Sequence, residues 1–584
     1  MNGANHSATA AVILDGYADW VAAHDTLSDG DREAILRHVA ILPFKPTISL
    51  LLPLGFGVPG GARDSIAALR RQLYPNWDLC VVGRDAIDDR AIDAATAEDP
   101  RIRRVRREDF ADVAEAANAA LAAVEAPFAA LLLPGERLAD RALYEIAVAL
   151  GAQSDTDLLY TDEDTQDWAG NRSAPVLKAG WDPDLLLAQD CIGGLAVWRL
   201  PVLQALGGWR AGFGRAAGHE LGLRASVHLM PDRIRHLPAV LLHRPPEATG
   251  PLRDRVLGSD MLAMRQAIRA HLAGRAEIVP APLWPEGNRV IWRLPEPAPL
   301  VSVIVPTRDR AALLRGCVEG VLRRTDYPAL ELIIVDNDSV EDATAELLRE
   351  LAADPRVRVL RHPGAFNFAA INNAAVAEAR GEVVVLLNND VEVIEPGWLR
   401  EMVGHALRPD VGAVGAKLLY ADGTLQHGGI LFGPGLAATH VLRQAARNDP
   451  GYNGQLALAR TLMAVTGACI ALRRRVFQEV GGLNAERFAI AFNDLDLCLR
   501  IGELGYRIVW TPFAELFHLE SATRGLPDTP AALAQEQREV TNLWYSWYHV
   551  FSTDPYHNIN LSCAWTEPPH LCAPRRRKPW QTEP

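Results

Sequence analysis

Short runs of apolar residues alternate along the chain with segments in which apolar residues recur every three or four positions. The runs at 47–53, 77–82 and 127–133 are typical of buried strands, and a helical spacing of isoleucine and leucine separates the first two. Because strands that alternate with helices form parallel sheets, this order predicts an α/β fold with a mainly parallel central sheet.

The same order of signals restarts after residue 300, with apolar runs at 301–306, 332–335 and 383–387. The two halves also match segment by segment: ISLLLP with VSVIVP, RRQLYPNWDLCVV with LRRTDYPALELIIV, FAALLLPGERL with VVVLLNNDVEV, LGGWR with VGGLN, and HELGLR with LDLCLR. The repeat predicts two homologous α/β domains, of which the second carries about twenty additional residues between its middle strand and its late helix.

The repeat and the composition of the segments around it predict where the domains begin and end. Prolines cluster between the two copies, as they do in domain linkers. The predicted division is a helical lead-in at 1–45, a first domain at 46–275, a proline-rich linker at 276–299, a second domain at 300–530, and a C-terminal helix and tail at 531–584.

Composition narrows the class of protein. With 584 residues, of which 49% are hydrophobic, the chain has enough apolar material for two or more cores. A net charge of -13 argues against general nucleic-acid binding, which needs a basic face. The seven cysteines are scattered without a C-x-x-C pair, which indicates reduced core thiols in a cytosolic protein rather than disulfides or a zinc site.

Targeting signals are the next feature that the sequence bears on. The first twenty residues lack a basic region, and no run of about 18 apolar residues occurs, so neither a signal peptide nor a membrane span is expected. The predicted location is therefore the cytoplasm.

Polar side chains follow two neighbouring strands of the second copy, at the point where each strand ends. Asp336 ends the second strand, and Asn388, Asn389 and Asp390 follow the run 383–387. Ligands bind at this edge of open α/β sheets, although Asn and Asp are also common in ordinary turns. A carboxylate here can hold Mg²⁺ or Mn²⁺ together with two substrate phosphates, because such ions keep several waters.

A third acidic residue, Asp494, begins a segment with helical periodicity. In the first turn of a helix the dipole and the free amides favour an ionised carboxylate, which at a pocket rim is a competent general base. Asp496 and Arg500 stand four apart in the favourable order and are interpreted first as a structural ion pair.

Nine segments of the second copy, in order and spacing, carry a resemblance: VSVIVPTRD, IIVDNDS, FNFAAINN, LLNNDVEV, KLLYADGTLQHGG, VTGACIALRR, VGGLN, FNDLDLCLR and GYRIVWTPFAELFHLESATRG. Together they resemble the family 2 glycosyltransferases of GT-A fold, and more narrowly the tandem two-domain bacterial members of cell-surface polysaccharide synthesis, which include rhamnosyltransferases. The resemblance covers about residues 299–525 and implies two tandem GT-A domains.

The resemblance also implies roles for individual residues. It implies a catalytic base at Asp494 and a metal ligand at Asp390, with Asn388 in place of the first aspartate of the D-x-D motif and Asn493 in place of a commoner glutamate before the base. His427 and Asn493 are acceptor-side candidates. The residues implied in nucleotide-sugar binding are Pro306, Thr307, Asp309, Asp336, Asp338, Asn388, Asn389, His518 and Arg524.

The reaction so implied is inverting transfer of a hexosyl or deoxyhexosyl group from a nucleotide-diphosphate sugar to a glycan or lipid-linked glycan. The alternative is a non-catalytic carbohydrate-binding or scaffold protein that keeps the fold. A nucleotidyltransferase would call for a glycine-rich phosphate loop after its first strand, and PTRDRAALL is not one. Retention of Asp336, Asp390 and Asp494 in one copy favours the enzyme.

The first copy lacks these residues. Gly83, Glu136 and Gly218 stand where the second copy has Asp336, Asp390 and Asp494, so a degenerate first domain is predicted, with His219 and Glu220 beside the vacant base position. The acidic residues 162–164 have two interpretations, the lining of an acceptor cleft and a solvated loop.

A few further signals remain open on the sequence alone. A lone histidine such as His427 is more often a hydrogen-bonding residue than a catalyst. The aromatic residues between 544 and 551 have two interpretations: they dock a C-terminal helix, or together with the basic residues 575–578 they contact a lipid-linked acceptor or the inner face of the plasma membrane.

Overall fold

Two large β-sheets, each flanked by helices, make up the computed structural model of the protein. It describes residues 15–107, 110–246, 251–433, 437–519, 529–551, 554–563 and 570–581, without the side chains of 251–257 and 437. The strands of the first sheet, in chain order, are β1 Ile48–Pro53, β2 Trp77–Val82, β3 Ile102–Val105, β4 Phe128–Leu131, β5 Arg137–Leu138, β6 Leu158–Gln166, β7 Arg172–Val176, β8 Ala196–Arg199 and β9 Ile234–Arg244.

A two-stranded hairpin and the second sheet follow. The hairpin consists of β10 Ala276–Ala281 and β11 Trp284–Trp292. The remaining strands are β12 Val301–Thr307, β13 Leu330–Asp336, β14 Val357–Arg361, β15 Val383–Leu387, β16 Val391–Val393, β17 Val411–Leu419, β18 Leu425–His427, β19 Ile430–Gly433, β20 Ala437–His440, β21 Arg460–Leu462, β22 Cys469–Arg473 and β23 Arg507–His518. Of these, β19 and β20 form a separate two-stranded sheet.

The two large sheets share one topology. Their strand orders are β3-β2-β1-β4-β8-β6-β9-β5 and β14-β13-β12-β15-β22-β17-β23-β16, which match position by position. In each, the first four strands pair in parallel and the next strand joins antiparallel. The predicted α/β class is confirmed, and β19 to β21 fall in the region where the second copy was expected to be longer.

Helices cover both faces of the sheets. In chain order they are α1 Tyr17–Trp20, α2 Asp29–Ile41, α3 Ala62–Arg70, α4 Asp89–Glu98, α5 Val113–Leu121, α6 Ala142–Ala152, α7 Pro183–Ala188, α8 Leu200–Ala205, α9 Ala217–His228, α10 Pro251–Leu272, α11 Ala311–Arg323, α12 Asp342–Leu351, α13 Phe368–Glu378, α14 Trp398–Ala406, α15 Arg474–Glu479, α16 Asn493–Glu503 and α17 Pro530–Trp547. Within the described ranges no helix is long and apolar enough to cross a membrane.

Regular structure occupies most of the segment that proline content marks as a linker. Strands β10 and β11 pair antiparallel from Ala276 opposite Trp292, and Arg289 donates from its guanidinium to the carboxylate of Glu401 on α14 at 2.9 Å. The apolar residues Ile278 and Val290 of the hairpin join the core of the first half, so the segment packs on both halves of the chain instead of running free between the two sheets.

The acidic residues 162–164 form part of β6 and are buried, so neither the cleft nor the solvated-loop interpretation holds. Asp162 accepts from Asn558 Nδ2 at 2.9 Å, Glu163 pairs with Lys178 at 2.9 Å, and Asp164 accepts from the Tyr17 hydroxyl at 2.7 Å. Tyr17 and Asn558 come from distant parts of the chain, which is why the local sequence does not reveal that these carboxylates are buried.

Polar contacts also join the two halves. The Asp182 carboxylate accepts from the Thr461 amide at 2.8 Å and from its hydroxyl at 2.7 Å, and Asp184 pairs with Arg408 and Arg507. All seven cysteines are free thiols, as expected.

Buried histidines give the folded state a pH dependence. Burial and the neighbouring Arg460 lower the pKa of His557 to about 4, and burial also lowers the pKa of His405 and His427. The unfolded chain therefore binds more protons than the folded chain below about pH 6.5, so stability decreases as the pH falls towards 4. Asp554, whose pKa burial raises to about 6, offsets part of this loss.

We expect the free energy of unfolding to be lower at pH 5 than at pH 7.5, with a contribution of about 2 kcal/mol from His557. Urea denaturation at the two pH values measures the difference. In His557→Asn the difference should become smaller. Equal or greater stability at pH 5 in the unmutated chain would contradict the expectation.

Candidate active site

A cavity of about 920 Å³ opens at the carboxyl edge of the parallel strands of the second sheet. It lies between the loop after β12, the loop after β15, the end of β23 and the start of α16. Nine residues singled out by the sequence line it: Pro306, Thr307, Asp309, Asn388, Asn389, Asp390, Asn493, Asp494 and His518.

Side-chain hydrogen bonds hold the loop after β15 in place. Asn389 donates from Nδ2 to the Thr307 hydroxyl at 3.1 Å, which ties the ends of β15 and β12 together. Behind the loop, the Cys317 thiol lies 3.5 Å from the Asn388 carbonyl oxygen, and burial together with the nearby Asp390 raises the pKa of the thiol to about 12. That thiol therefore stays neutral.

Asp390 and His518 stand side by side on one wall. Strands β16 and β23 pair with Val391 opposite His518, which places the imidazole Nε2 3.3 Å from Asp390 Oδ1. The side-chain nitrogen Nδ2 of Asn388 is also 3.3 Å from the His518 Nε2. One carboxylate and one imidazole therefore face the same cavity.

These two side chains fit a divalent cation that completes its coordination with substrate phosphates and waters. The His518 Nδ1 lies 2.6 Å from Gln426 Oε1, which can only accept, so Nδ1 carries the proton and Nε2, 3.3 Å from Asp390 Oδ1, is the nitrogen with the lone pair. No group of three or more His, Cys, Asp or Glu side chains that could hold a metal occurs in the part of the chain that the structure describes. The two side chains therefore fit a cation site that is open to the cavity and in which substrate phosphates and waters supply the remaining ligands.

Asp494 lies on another wall, in the first turn of α16, as the sequence predicts. Its Oδ2 accepts from the Gly467 amide at 2.8 Å and its Oδ1 accepts from the Leu495 amide at 2.9 Å. Two backbone donors therefore fix the orientation of this carboxylate. The predicted structural pair of Asp496 and Arg500 is confirmed at 2.7 Å.

The C-terminal helix α17 supports the segment that leads into α16. The buried carboxylate of Glu539 accepts from the amides of Ile490 at 3.0 Å and Ala491 at 2.7 Å, and Trp547 donates from Nε1 to Asp496 at 3.1 Å. Trp547 and Phe551 are buried, whereas Tyr545 and Tyr548 are exposed. Trp547 and Phe551 therefore dock the C-terminal helix, as one interpretation of the aromatic cluster predicts, whereas Tyr545 and Tyr548 do not take part in this contact.

Other predicted residues lie outside the cavity. The Asp336 carboxylate is buried at the end of β13, accepts from the Ser339 amide at 3.0 Å and has Arg361 Nε 3.8 Å away. Asp338 accepts from the Gly364 amide at 2.7 Å, and His427 is fully buried behind the cavity wall. Arg524 lies outside the described residues.

The sequence reasoning missed several residues that line the cavity. Arg308 and Arg310 alternate with Asp309 in the loop after β12, a pattern that could have marked them as phosphate contacts. Phe366 and Phe368 form an apolar wall, and Thr466 and Gly467 a backbone wall. The last two lie in VTGACIALRR, a segment that contributes to the family resemblance but in which no side chain marks the Gly467 amide as a contact.

The corresponding edge of the first sheet is closed by the chain itself. Val58 donates to the Pro134 carbonyl at 2.9 Å and Gly135 to the Gly61 carbonyl at 3.0 Å, so the loop after β1 lies directly on the end of β4. A Cβ atom on Gly57 would come 2.3 Å from the Pro134 carbonyl oxygen. The two loops are too close to admit a ligand between them.

The counterpart side chains of the first copy are held in structural contacts. Glu136 accepts from the Leu133 amide at 2.8 Å, and burial raises its pKa. Beside Gly218, the His219 Nε2 lies 2.6 Å from the Leu186 carbonyl oxygen, and Glu220 pairs with Arg224 at 2.7 Å. Arg576 of the basic tail pairs with Glu145.

A cleft with acidic and amide side chains at the carboxyl ends of parallel strands defines the second sheet as a ligand-binding α/β domain. Residues 302–481 match the family model "Glycosyl transferase family 2". The chain therefore contains a family 2 glycosyltransferase-like segment at 302–481, in agreement with the resemblance drawn from its motifs.

Relatives extend the similarity over both halves. An uncharacterized protein y4gI of Sinorhizobium fredii is 39% identical over 528 residues, which are 88% of this chain and 58% of that protein. The O-antigen biosynthesis protein RfbC of Myxococcus xanthus is 36% identical over 574 residues, 95% of this chain and 43% of that protein. The chain thus spans about half the length of these curated relatives.

More distant similarities cover about half of the chain or less. The N-acetylglucosaminyl-diphospho-decaprenol L-rhamnosyltransferase of Mycobacterium tuberculosis is 26% identical over 253 residues, 39% of this chain and 78% of that protein. Among solved structures, the mannosyltransferase PcManGT from Pyrobaculum calidifontis, in complex with GDP-Man and Mn²⁺, aligns with a TM-score of 0.31 and 19% identity over 51% of this chain and 73% of that chain.

Proposed function

We propose that the chain is an inverting glycosyltransferase that moves a hexosyl or deoxyhexosyl group from a nucleotide-diphosphate sugar to a glycan acceptor in bacterial surface polysaccharide synthesis. The observation that carries this proposal is that a single cavity is lined both by Asp390 with His518 and by Asp494. Displacement of a diphosphate by a hydroxyl requires a group that binds the diphosphate and a base that takes the hydroxyl proton. The two walls of this cavity would supply them.

The nucleotide end of the donor is assigned to the loops after β12 and β13. Pro306, Thr307 and Asp309 line the cavity there, and the Asp309 carboxylate accepts from the amides of Val340 at 2.7 Å and Glu341 at 2.9 Å. Asp309 thereby joins the two loops. Asp336 and Asp338 remain proposed nucleotide contacts that would act from beneath this surface, and Arg308 and Arg310 are added to the proposal as phosphate contacts.

The diphosphate is assigned to the wall formed by Asn388, Asn389, Asp390 and His518. Asp390 and His518 would hold Mg²⁺ or Mn²⁺ against the two phosphates. A bound cation would neutralise the negative charge that develops on the departing nucleoside diphosphate. Asn388 and Asn389 position this wall through their contacts with His518 and Thr307.

Asp494 is assigned as the general base. Its two oxygens are oriented by the Gly467 and Leu495 amides, and the remaining lone pairs can accept the proton of an acceptor hydroxyl. The hydroxyl oxygen then forms the new bond to the anomeric carbon as the bond to the phosphate oxygen breaks, with inversion at that carbon. Asn493, whose Nδ2 donates to the Ile490 carbonyl at 2.9 Å, keeps its place as an acceptor-side candidate.

The acceptor class rests on the relatives. One similar protein is named for O-antigen biosynthesis and another transfers L-rhamnose to N-acetylglucosaminyl-diphospho-decaprenol, according to their names. A growing, lipid-linked glycan at the inner face of the plasma membrane is the corresponding proposal for this chain, and a rhamnosyl donor is one member of the proposed donor class.

A non-catalytic role is proposed for the first half alone. Its strand-end cleft is closed by the loop after β1, and Glu136 is engaged with its own loop. The first half is therefore assigned as a degenerate domain that supports the second, for example through the contact of Asp182 with Thr461.

A donor screen with the full chain tests the proposal. Release of nucleoside diphosphate is measured with UDP-, GDP- and dTDP-sugars, with Mn²⁺ or Mg²⁺ and with a chelator. From one of the three donor classes, nucleoside diphosphate should be released faster with the chain present than in buffer alone. The chelator should slow this release. Binding of a glycan without turnover of any donor would favour the alternative, a carbohydrate-binding or scaffold protein.

A further inference from the structure

Gln426 and His427 are neighbouring buried residues at the end of β18, and neither lines the cavity. Their side chains nevertheless reach two different walls of it. The exposed fractions of Gln426 and His427 are 5% and 0%, so neither residue is available to a substrate. Their chemistry must act through other residues.

Gln426 forms two hydrogen bonds with His518. Its Oε1 accepts from His518 Nδ1 at 2.6 Å, and its Nε2 donates to the His518 carbonyl oxygen at 3.2 Å. The two bonds agree on the orientation of the amide, and they place the imidazole proton on Nδ1. The Nε2 atom is left facing Asp390 and the cavity.

The first copy provides an internal comparison. By strand register, His243 is the counterpart of His518, because it stands opposite Arg137 as His518 stands opposite Val391. There the imidazole Nδ1 lies 2.6 Å from a carboxylate oxygen of Asp164, which also pairs with Arg172. A neutral amide therefore supports the histidine where the cavity is open, and a buried ionic network does so where it is closed.

His427 holds the opposite wall. Its Nε2 accepts from the Thr466 amide at 3.3 Å, while its Nδ1 lies 2.8 Å from His440 Nδ1. Burial, with His440 nearby, keeps the pKa of His427 well below its ordinary value, so the ring stays neutral and can accept.

The segment 466–468 transmits this contact to both functional walls. The Gly467 amide donates to Asp494 Oδ2 at 2.8 Å, and the Ala468 carbonyl accepts from the Asn388 amide at 3.0 Å. A Cβ atom on Gly467 would lie 3.3 Å from the Asp494 Cβ, so the segment and the carboxylate are closely packed. A shift of Thr466 would therefore displace the Asp494 carboxylate.

We propose that Gln426 and His427 form one pair of positioning residues, in which Gln426 orients His518 beside Asp390 and His427 fixes the segment that orients Asp494. This inference rests on the proposed function, since it assigns His518 to the diphosphate wall and Asp494 to the base. It gives His427 a place behind the cavity instead of a role on the acceptor side.

The test uses the full chain and separates the two arms. Gln426→Leu removes both contacts with His518, and the affinity for Mn²⁺ in the presence of UDP, GDP or dTDP should fall about 10- to 100-fold, as is usual when the partner of a metal-ligating histidine is lost. Calorimetry measures this affinity without any turnover. Gln426→Glu keeps the accepting oxygen and should recover part of it.

His427→Phe removes the acceptor for Thr466, and kcat should fall about 10- to 100-fold, with a smaller change in KM for the donor, because the segment orients the Asp494 carboxylate directly but reaches the diphosphate wall only through the Asn388 backbone amide. His427→Gln places an amide oxygen near the former Nε2 and should restore most of kcat. The matched control is Asn118→Leu, which is remote from the cavity. Like Gln426, Asn118 forms two hydrogen bonds with one residue: its side chain donates to the Trp209 carbonyl at 2.7 Å and accepts from the Trp209 backbone amide at 3.0 Å.

The outcomes are distinguishable. If Gln426→Leu and His427→Phe lower the melting temperature as Asn118→Leu does but leave Mn²⁺ affinity and kcat at the unmutated values, the two residues are merely structural and the inference fails. If the unmutated chain turns over no donor, the proposed function fails, and the Mn²⁺ titration of Gln426→Leu and Gln426→Glu still decides the role of Gln426.

Discussion

Asp494→Asn should lower the rate of sugar transfer by a factor of about 10² to 10⁴, the usual contribution of a positioned general base. Asparagine has nearly the same shape and its oxygen can still accept from the Gly467 amide, so the cavity should keep its form. An amide cannot take the proton of the acceptor hydroxyl, however, and the attacking oxygen would remain weakly nucleophilic. Binding of the nucleotide-sugar should be nearly unchanged.

Initial rates of nucleoside diphosphate release, measured with donor and acceptor in excess, give the change in kcat. Asp342→Asn is the matched control, because Asp342 is also an aspartate in the first turn of a helix but is exposed and outside the cavity. Its kcat should equal that of the unmutated chain. Unchanged turnover in Asp494→Asn would remove Asp494 as the base.

Asp390→Ala should weaken Mn²⁺-supported binding of a nucleoside diphosphate by a factor of about 10² or more, since a carboxylate bound to a divalent cation contributes several kcal/mol and each 1.4 kcal/mol is tenfold. The substitution leaves His518 as the remaining protein ligand on that wall. A second expectation follows for turnover, which should no longer respond to a chelator.

The first copy supplies the control for this change. Glu136 is the counterpart of Asp390, but it lies against its own loop and accepts from the Leu133 amide at 2.8 Å. Glu136→Ala should therefore leave nucleotide binding and turnover unchanged, with at most a loss of stability. Equal activity of the Asp390→Ala chain with and without chelator, at the unmutated rate, would reject the metal role.

The scaffold of both copies is largely predictable from local patterns. The strands at 77–82 and 383–387 coincide with β2 and β15, because largely apolar runs in an α/β protein are buried on both faces of a parallel sheet. The position of Asp494 in the first turn of α16 is predictable for a related reason, since the apolar periodicity of a helix begins right after it.

Contacts between distant segments explain what the sequence does not reveal. On the sequence alone, residues 162–164 are interpreted as the lining of an acceptor cleft or as a solvated loop because charges are usually exposed, yet Tyr17, Lys178 and Asn558 provide buried partners for them. In the same way, proline content marks 276–299 as a linker, although antiparallel pairing makes most of it a hairpin.

The site shows the same division. Residues at strand ends were predictable, because topology alone brings the loops after β12 and β15 to one edge. The contacts of Gly467 and Gln426 were not, because a backbone amide that orients a carboxylate and a buried amide that orients a histidine leave no pattern of their own, although both residues lie in segments that carry the family resemblance. The closed cleft of the first copy likewise depends on the approach of Val58 to Pro134.

The central claim is that the chain has one nucleotide-diphosphate site, in its second half. Calorimetric titration of the full chain with UDP, GDP and dTDP in the presence of Mn²⁺ tests it most directly. The account predicts one site per chain for one of these nucleotides, retained in Glu136→Ala and lost in Asp390→Ala. Two sites per chain, loss of binding in Glu136→Ala, or no binding of any of the three nucleotides would contradict it.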